Sequence, residues 1–181
     1  IQHMLASLTP KGRMGIVLDQ GVLFRGGSEG EIRKKVVEED LVDCVVALPE
    51  KIFYNTGAPG CLIFLNKDKP QERRGKVVFI YSGNDYEKLK NMNKLRDEDI
   101  AKIVKANREF KSAKKYASIV SVDKIKENDY NLSVTRYVDV FEEEELVEVS
   151  QVWQELRKLE RERSQVDERL TDYFKELGYE Q

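Results

Sequence analysis

A chain of 181 residues, 40% apolar and 35% charged, is long enough for one domain with a real core plus a modest extension. Its net charge of −2 and pI near 5.7 lack the basic excess of a free-standing DNA binder, whose affinity rests on neutralised phosphates, so the chain either supplies part of a DNA interface or touches DNA little. No apolar run approaches the roughly 20 residues that cross a bilayer, which excludes a membrane-spanning helix.

The first residues, IQHMLASLTP, lack the basic leader and apolar core of a signal peptide. They are expected to be the end of an amphipathic helix entered mid-sequence, as in a fragment. Pro10 and Gly12 punctuate a turn, and Met14, Ile16, Val17 and Leu18 follow as a short apolar run. Such a run, without clean alternation, fits a strand buried on both faces of a parallel sheet. Gly26 and Gly27 then break the chain, and Ser28 with Glu31 forms a capping-box pattern for a helix. Its apolar side is Ile32, Val36 and Val37, opposite Arg33, Lys34 and Lys35. LVDCVVALP is a second continuous strand, stopped by Pro49, so strand, helix and strand predict a right-handed parallel crossover. GCLIFLN begins only ten residues later. That link is too short for a helical crossover, so the third strand is expected antiparallel to the second.

KVVFIYSG, after the charged turn NKDKPQERRGK, predicts a further strand. A polar helix is expected over about Asp97 to Lys111, with Ile100, Ile103, Val104 and Phe110 as its apolar side. Two basic clusters, the turn with Arg73 and Arg74 and the helix with Lys102 and Lys105, are candidate phosphate contacts, although helix lysines set among acids more often form a solvated face. Cys44 and Cys61 fall inside strand-like runs and are expected to be buried thiols rather than a bridge. One histidine and two scattered cysteines make no metal-ligand pattern, so no metal site is expected.

The acidic stretch DVFEEEELVEV, with Glu142 to Glu145 in a row, is expected to be a solvated connector that faces away from any duplex. Beyond it Val149, Val152, Leu156, Leu159, Val166, Leu170, Tyr173 and Leu177 recur at steps of three and four, with Arg163 in the one polar slot and Trp153 and Phe174 widening the stripe. A seam of period 3.5 sustained over about four heptads suits packing against another long helix. Val152, Trp153, Leu156, Leu159, Val166, Leu170 and Tyr173 are the candidate contact residues. Docking on the chain's own domain is the plainer alternative.

Residues 12 to 67, GRMGIVLDQGVLFRGGSEGEIRKKVVEEDLVDCVVALPEKIFYNTGAPGCLIFLNK, resemble the second half of an adenine-specific DNA methyltransferase catalytic domain. The resemblance is closest to the modification subunit of type I restriction–modification systems. A short helix leading into Tyr130-Asn131-Leu132 and then Arg136-Tyr137 extends it, so that it covers about residues 1 to 138. It implies an α/β fold: the distal half of a Rossmann-like methyltransferase sheet with an antiparallel hairpin strand, followed here by a long C-terminal helix. It divides the chain into 1–138, the C-terminal part of the catalytic domain, and 139–181, a connector and subunit-contact helix.

The family's glycine-rich turn for S-adenosylmethionine and its Asn-Pro-Pro-aromatic tetrapeptide are both missing. The resemblance therefore implies a fragment without catalytic or cofactor residues, inactive alone. It implies a cytoplasmic full-length enzyme that methylates the N6 amino group of adenine from S-adenosylmethionine. Its implied partners are double-stranded DNA, a specificity subunit, a second modification subunit and a restriction subunit. If the central strands are absent, the free edge of the first strand is apolar and unpaired, so self-association is expected. Two other readings stay open. One is a non-enzymatic scaffold that keeps a methyltransferase-like half-domain, and the other is a single-chain restriction–methylation enzyme.

Ligands of open α/β sheets bind beyond the carboxyl ends of the parallel strands. Asp19 to Phe24, Pro49 to Thr56 and Gly57 to Gly60 should meet there. An enzyme modifying adenine must flip the base from the stack and hold it, typically against an aromatic face. In the family an aromatic just before the antiparallel strand does so, which by position is Phe53, with Tyr54 less favoured. Asn55 and Thr56 close the turn. Asp19 stands where the family often has proline and reads as a solvated loop acid. Phe24 is expected to pack under the helix, and Gly26-Gly27-Ser28 is expected to be a simple N-cap rather than a phosphate loop.

Overall fold

The computed structural model describes residues 1–140 and 149–179. In chain order its elements are α1 (Gln2–Ser7), β1 (Arg13–Asp19), α2 (Gly27–Glu38), β2 (Val42–Ala47), β3 (Gly60–Asn66), β4 (Lys76–Tyr81), β5 (Glu87–Lys88), β6 (Asn93–Lys94), α3 (Asp97–Glu109), β7 (Ala117–Ser121), α4 (Val122–Glu127) and α5 (Val149–Glu176). The chain divides into two units, Ile1–Phe141 and Glu142–Gln181.

The apolar runs of the first unit make a five-stranded sheet of order β1-β3-β2-β4-β7. β3 pairs antiparallel with both β1 and β2, and β2 pairs parallel with β4. β1, β2 and β4 therefore run the same way, with β3 inserted between the first two. The antiparallel hairpin of β2 and β3 is as the short link predicts, but the hairpin strand lies inside the parallel set rather than finishing it. β7 pairs antiparallel with β4. It escapes the sequence reading because ASIVS is short and half polar.

Two apolar layers cover the sheet. On one face Val45, Ala47, Ile63, Leu65, Val77 and Phe79 pack with Val37 of α2 and Ile125 of α4. On the other, Cys44, Val46, Leu48, Val78 and Ile80 pack with Ile103 of α3. A bulge between Val42 and Cys44 changes the register against β3 and puts Val42 on the same face as Val45. The layer over β1 is thin: Val17 is 51% exposed, and β1 is paired with β3 alone.

Three local expectations are corrected. The N-cap of α2 is Gly26, without a side-chain cap, so Ser28 lies inside the first turn and no Ser28–Glu31 capping box forms. Phe24 is 56% exposed rather than packed under the helix, because the 3-10 turn at Gln20–Leu23 buries Leu23 instead. Ile100 and Val104 are 47% and 40% exposed, so the apolar side of α3 narrows to Ile103, Ala106 and Phe110. The acidic run Glu142 to Glu145 lies outside the described residues.

α5 is a 28-residue helix. From Val152 onward its apolar residues stand out from its surface, none of the large ones less than 45% exposed.

Candidate functional site

Parallel alignment puts the ends of three strands on one line. Asp19 sits opposite Gly60, Cys61 opposite Ala47, and Ala47 opposite Tyr81. The chain leaves the sheet at Asp19, Ala47 and Tyr81 and enters it at Gly60, all at the same edge. The three predicted segments do meet there. A groove of about 470 Å³ opens at this edge, lined by Gln20 and Phe24, by Leu48 and Glu50, by Pro59, and by Asn84, Tyr86 and Thr135. Phe24 ends the predicted Asp19 to Phe24 segment but is expected there to pack under the helix, and Asn84, Tyr86 and Thr135 are not marked by the sequence. A lone aromatic or amide in a polar turn has no spacing that marks it, and Thr135 reaches the edge only through tertiary folding.

Asp19 has a local task. Its carboxylate accepts from Gly21 N–H at 2.9 Å and pairs with Arg25 at 2.9 Å, capping the 3-10 turn that leaves β1. Beneath it the Cys61 Sγ–H donates to the Asp19 carbonyl at 3.6 Å. Burial, reinforced by the Asp19 charge, pushes the Cys61 thiol up to about 12. Burial also raises the Cys44 thiol. Both are free and buried, and neither is a nucleophile at neutral pH.

The 49–56 loop is tightly turned, with Lys51 and Asn55 both left-handed at φ 56° and 63°. Asn tolerates this conformation better than Lys does. Phe53 is half-buried and packs on the apolar layer of Cys44, Val46 and Leu48. Its ring lies across Gly60, where a Cβ would come within 2.5 Å of it, so the glycine is what lets the aromatic cover the start of β3. Tyr54 is 83% exposed, and Thr56 Oγ1 accepts from Ala58 N–H at 3.1 Å. The two aromatics are thus unequal. Phe53 is anchored on the sheet, and Tyr54 offers an open ring at its margin.

A two-stranded ribbon, β5 with β6, is fastened to this loop. Asn93, 5% exposed, donates its N–H to Lys51 O at 2.8 Å and its side-chain amide to Glu50 O at 2.9 Å.

The phosphate candidates separate. Arg73 is held inside the fold, in a pair with Asp43 at 2.9 Å that leaves the two side chains 11% and 13% exposed. It also bonds Asn107 and lies over the Phe110 ring at 4.5 Å. It cannot also face a phosphate without breaking these contacts. Arg74 donates to Lys69 O at 3.2 Å and is otherwise exposed. Lys102 pairs with Asp85 at 2.7 Å over the Tyr116 ring. Lys105 is 73% exposed beside Glu109.

Among the described residues no strand ends in a glycine-rich turn, and Gly26 and Gly27 open α2. Among the described residues no group of three or more His, Cys, Asp or Glu is arranged to hold a metal ion, and no helix is long and apolar enough to cross a membrane.

Comparison with known proteins gives a consistent result. The model of the N-6 DNA Methylase family matches residues 1–146. The type I restriction enzyme MjaVIII methylase subunit of Methanocaldococcus jannaschii is 48% identical over 169 residues, covering 92% of this chain and 29% of the relative. The MjaVII methylase subunit of the same organism is 40% identical over 164 residues, covering 89% and 28%. Among solved structures, the type I restriction-modification system methyltransferase subunit from Streptococcus thermophilus superposes with a TM-score of 0.71 at 42% identity, over 76% of this chain and 29% of that one. The chain spans less than a third of the length of each.

Proposed function

The chain belongs to the N-6 DNA Methylase family, its sheet being the distal half of that Rossmann-like fold, and from that premise we propose that it is part of a type I modification subunit. The whole protein transfers a methyl group from S-adenosylmethionine to the N6 amino group of adenine in double-stranded DNA. Residues 1–138 form the distal part of its catalytic domain, and residues 139–181 form a connector and a helix for subunit contact. The cofactor and the groups that hold the amine belong to other residues, so no catalytic step is assigned to this chain. What its residues do is receive the base.

The observation that carries this reading is the aromatic pair Phe53–Tyr54 at the carboxyl edge of the parallel strands, in a loop flanked by Glu50 and Pro59, which line the groove there while the two aromatics do not. A flipped adenine needs a flat apolar surface, worth about 1–3 kcal/mol per stacked base. Phe53 and Tyr54 supply it, with Asn55 and Thr56 holding the turn and Asp19 capping the turn that leaves β1 at the same edge. Arg74, Lys102 and Lys105 are the phosphate candidates, Arg73 being committed to Asp43 and Asn107. The exposed seam Val152, Trp153, Leu156, Leu159, Val166, Leu170 and Tyr173 is the surface for the specificity subunit, with a second modification subunit and a restriction subunit completing a cytoplasmic complex.

Methyl transfer by the native polypeptide containing this chain, assembled with its specificity subunit, tests the site. Phe53→Ala and Tyr54→Ala should each lower kcat/KM at least about fivefold, the low end of one lost stack, while leaving S-adenosylmethionine affinity unchanged. Full activity in both variants would remove the loop from the base site.

A further inference from the structure

Resting on the methyltransferase reading, we propose that the β5–β6 ribbon is a phosphate clamp for the DNA strand that carries the flipped adenine. The ribbon and its flank, residues 87 to 96, EKLKNMNKLR, hold four cations and one acid, Glu87, which stands opposite Lys94, in a chain whose net charge is −2. Lys88, Lys90 and Lys94 are exposed. Among the described residues none of the three has an acidic partner within ion-pair distance. The other basic groups near this end of the sheet behave differently: Lys102 pairs with Asp85, and Arg96 with Glu98 and Asp99.

Position turns this charge into a site. A two-stranded ribbon is marginal in water by itself, and here it is fastened by buried Asn93 to the carbonyls of Glu50 and Lys51. Those residues lead directly into the aromatic pair, and Tyr86, which lines the groove, leads directly into β5. The lysines are thereby held beside the place where a base leaves the stack. Flipping swings a nucleotide about its own backbone, so the flanking phosphates must be gripped for the base to be presented in register. Flexible ammonium groups on a pinned ribbon provide that grip without reading sequence. This division suits a system whose bases are read elsewhere.

The test uses the native polypeptide with its partner subunits and a short mixed-sequence DNA duplex, titrated by fluorescence anisotropy across a range of salt concentrations. Each phosphate contact contributes about 0.9 to the slope of log K against log salt. The triple variant K88A/K90A/K94A should therefore bind with a slope shallower by about 2 to 3, and K88R/K90R/K94R should keep the wild-type slope. Binding of S-adenosylmethionine by the alanine variant, followed by calorimetry, verifies that it is folded. An alanine variant that retains the wild-type slope and affinity overturns the clamp, and intact methyl transfer by the wild type would then leave the methyltransferase reading standing. A wild type that neither binds duplex nor transfers a methyl group overturns that reading and the clamp with it.

Discussion

Asp99 lies under the N-terminus of α3, 4% exposed, accepting from the Arg96 guanidinium at 3.0 and 2.9 Å and from Arg96 N–H at 2.9 Å. The guanidinium contacts first, then the backbone N–H, hold its carboxyl below the usual carboxylate range. A depressed folded value means that this stabilisation is present above the unfolded pKa of about 3.9 and disappears as pH falls through the folded value. Asp99→Asn should lower Tm at neutral pH, and thermal melts should show the gap to the parent closing in acid below about pH 3.9. A gap independent of pH would mean that the charge contributes nothing. At this scale the sequence is legible unevenly. Phe53 and Tyr54 come forward as candidates through the family resemblance, which implies an aromatic just before the antiparallel strand. Tyr86 and Asn93 do not, since their places depend on which loops the sheet brings together.

The bulge in β2 turns Asp43 aside from the alternation, and Arg73 crosses from the 70–75 turn to meet it while bonding Asn107 of α3. Three elements are thereby tied through one guanidinium. Removing it strands Asp43, one of whose oxygens, Oδ1, already lacks a partner. Arg73→Ala should cost close to the roughly 3–5 kcal/mol of a broken buried pair, read as a shift of the urea midpoint with an unchanged slope. A shift under about 1 kcal/mol, the range of a surface pair, would show that solvent screens it. Strand directions were readable from the apolar runs and the shortness of the β2–β3 link. The placing of β3 between β1 and β2 was not, because pairing order is a property of the folded sheet. The start of α2 was misread because glycine at the N-cap position carries no side chain to announce it.

At the scale of the molecule, family membership and the carboxyl edge account for most of the first unit, and the seam accounts for α5. Leu156 and Leu170 are 45% and 48% exposed, so Leu156→Asp with Leu170→Asp should abolish co-purification with a specificity subunit while leaving the far-UV spectrum unaltered. Retained association would assign the interface to other residues. Self-association through the free edge of β1 is the matching expectation for the 181-residue chain by itself. The heptad spacing could be read from the sequence because a repeat needs no tertiary context, whereas the occupant of the seam is not written in it.

The most direct measurement is the identity of the methylated nucleoside. The native polypeptide containing this chain, with its specificity subunit, unmethylated duplex DNA and isotopically labelled S-adenosylmethionine, should yield label in N6-methyladenine on nucleoside analysis, sharply reduced when Phe53 and Tyr54 are both alanine. Label in cytosine, or in no base at all from an assembled and folded complex, would contradict the account.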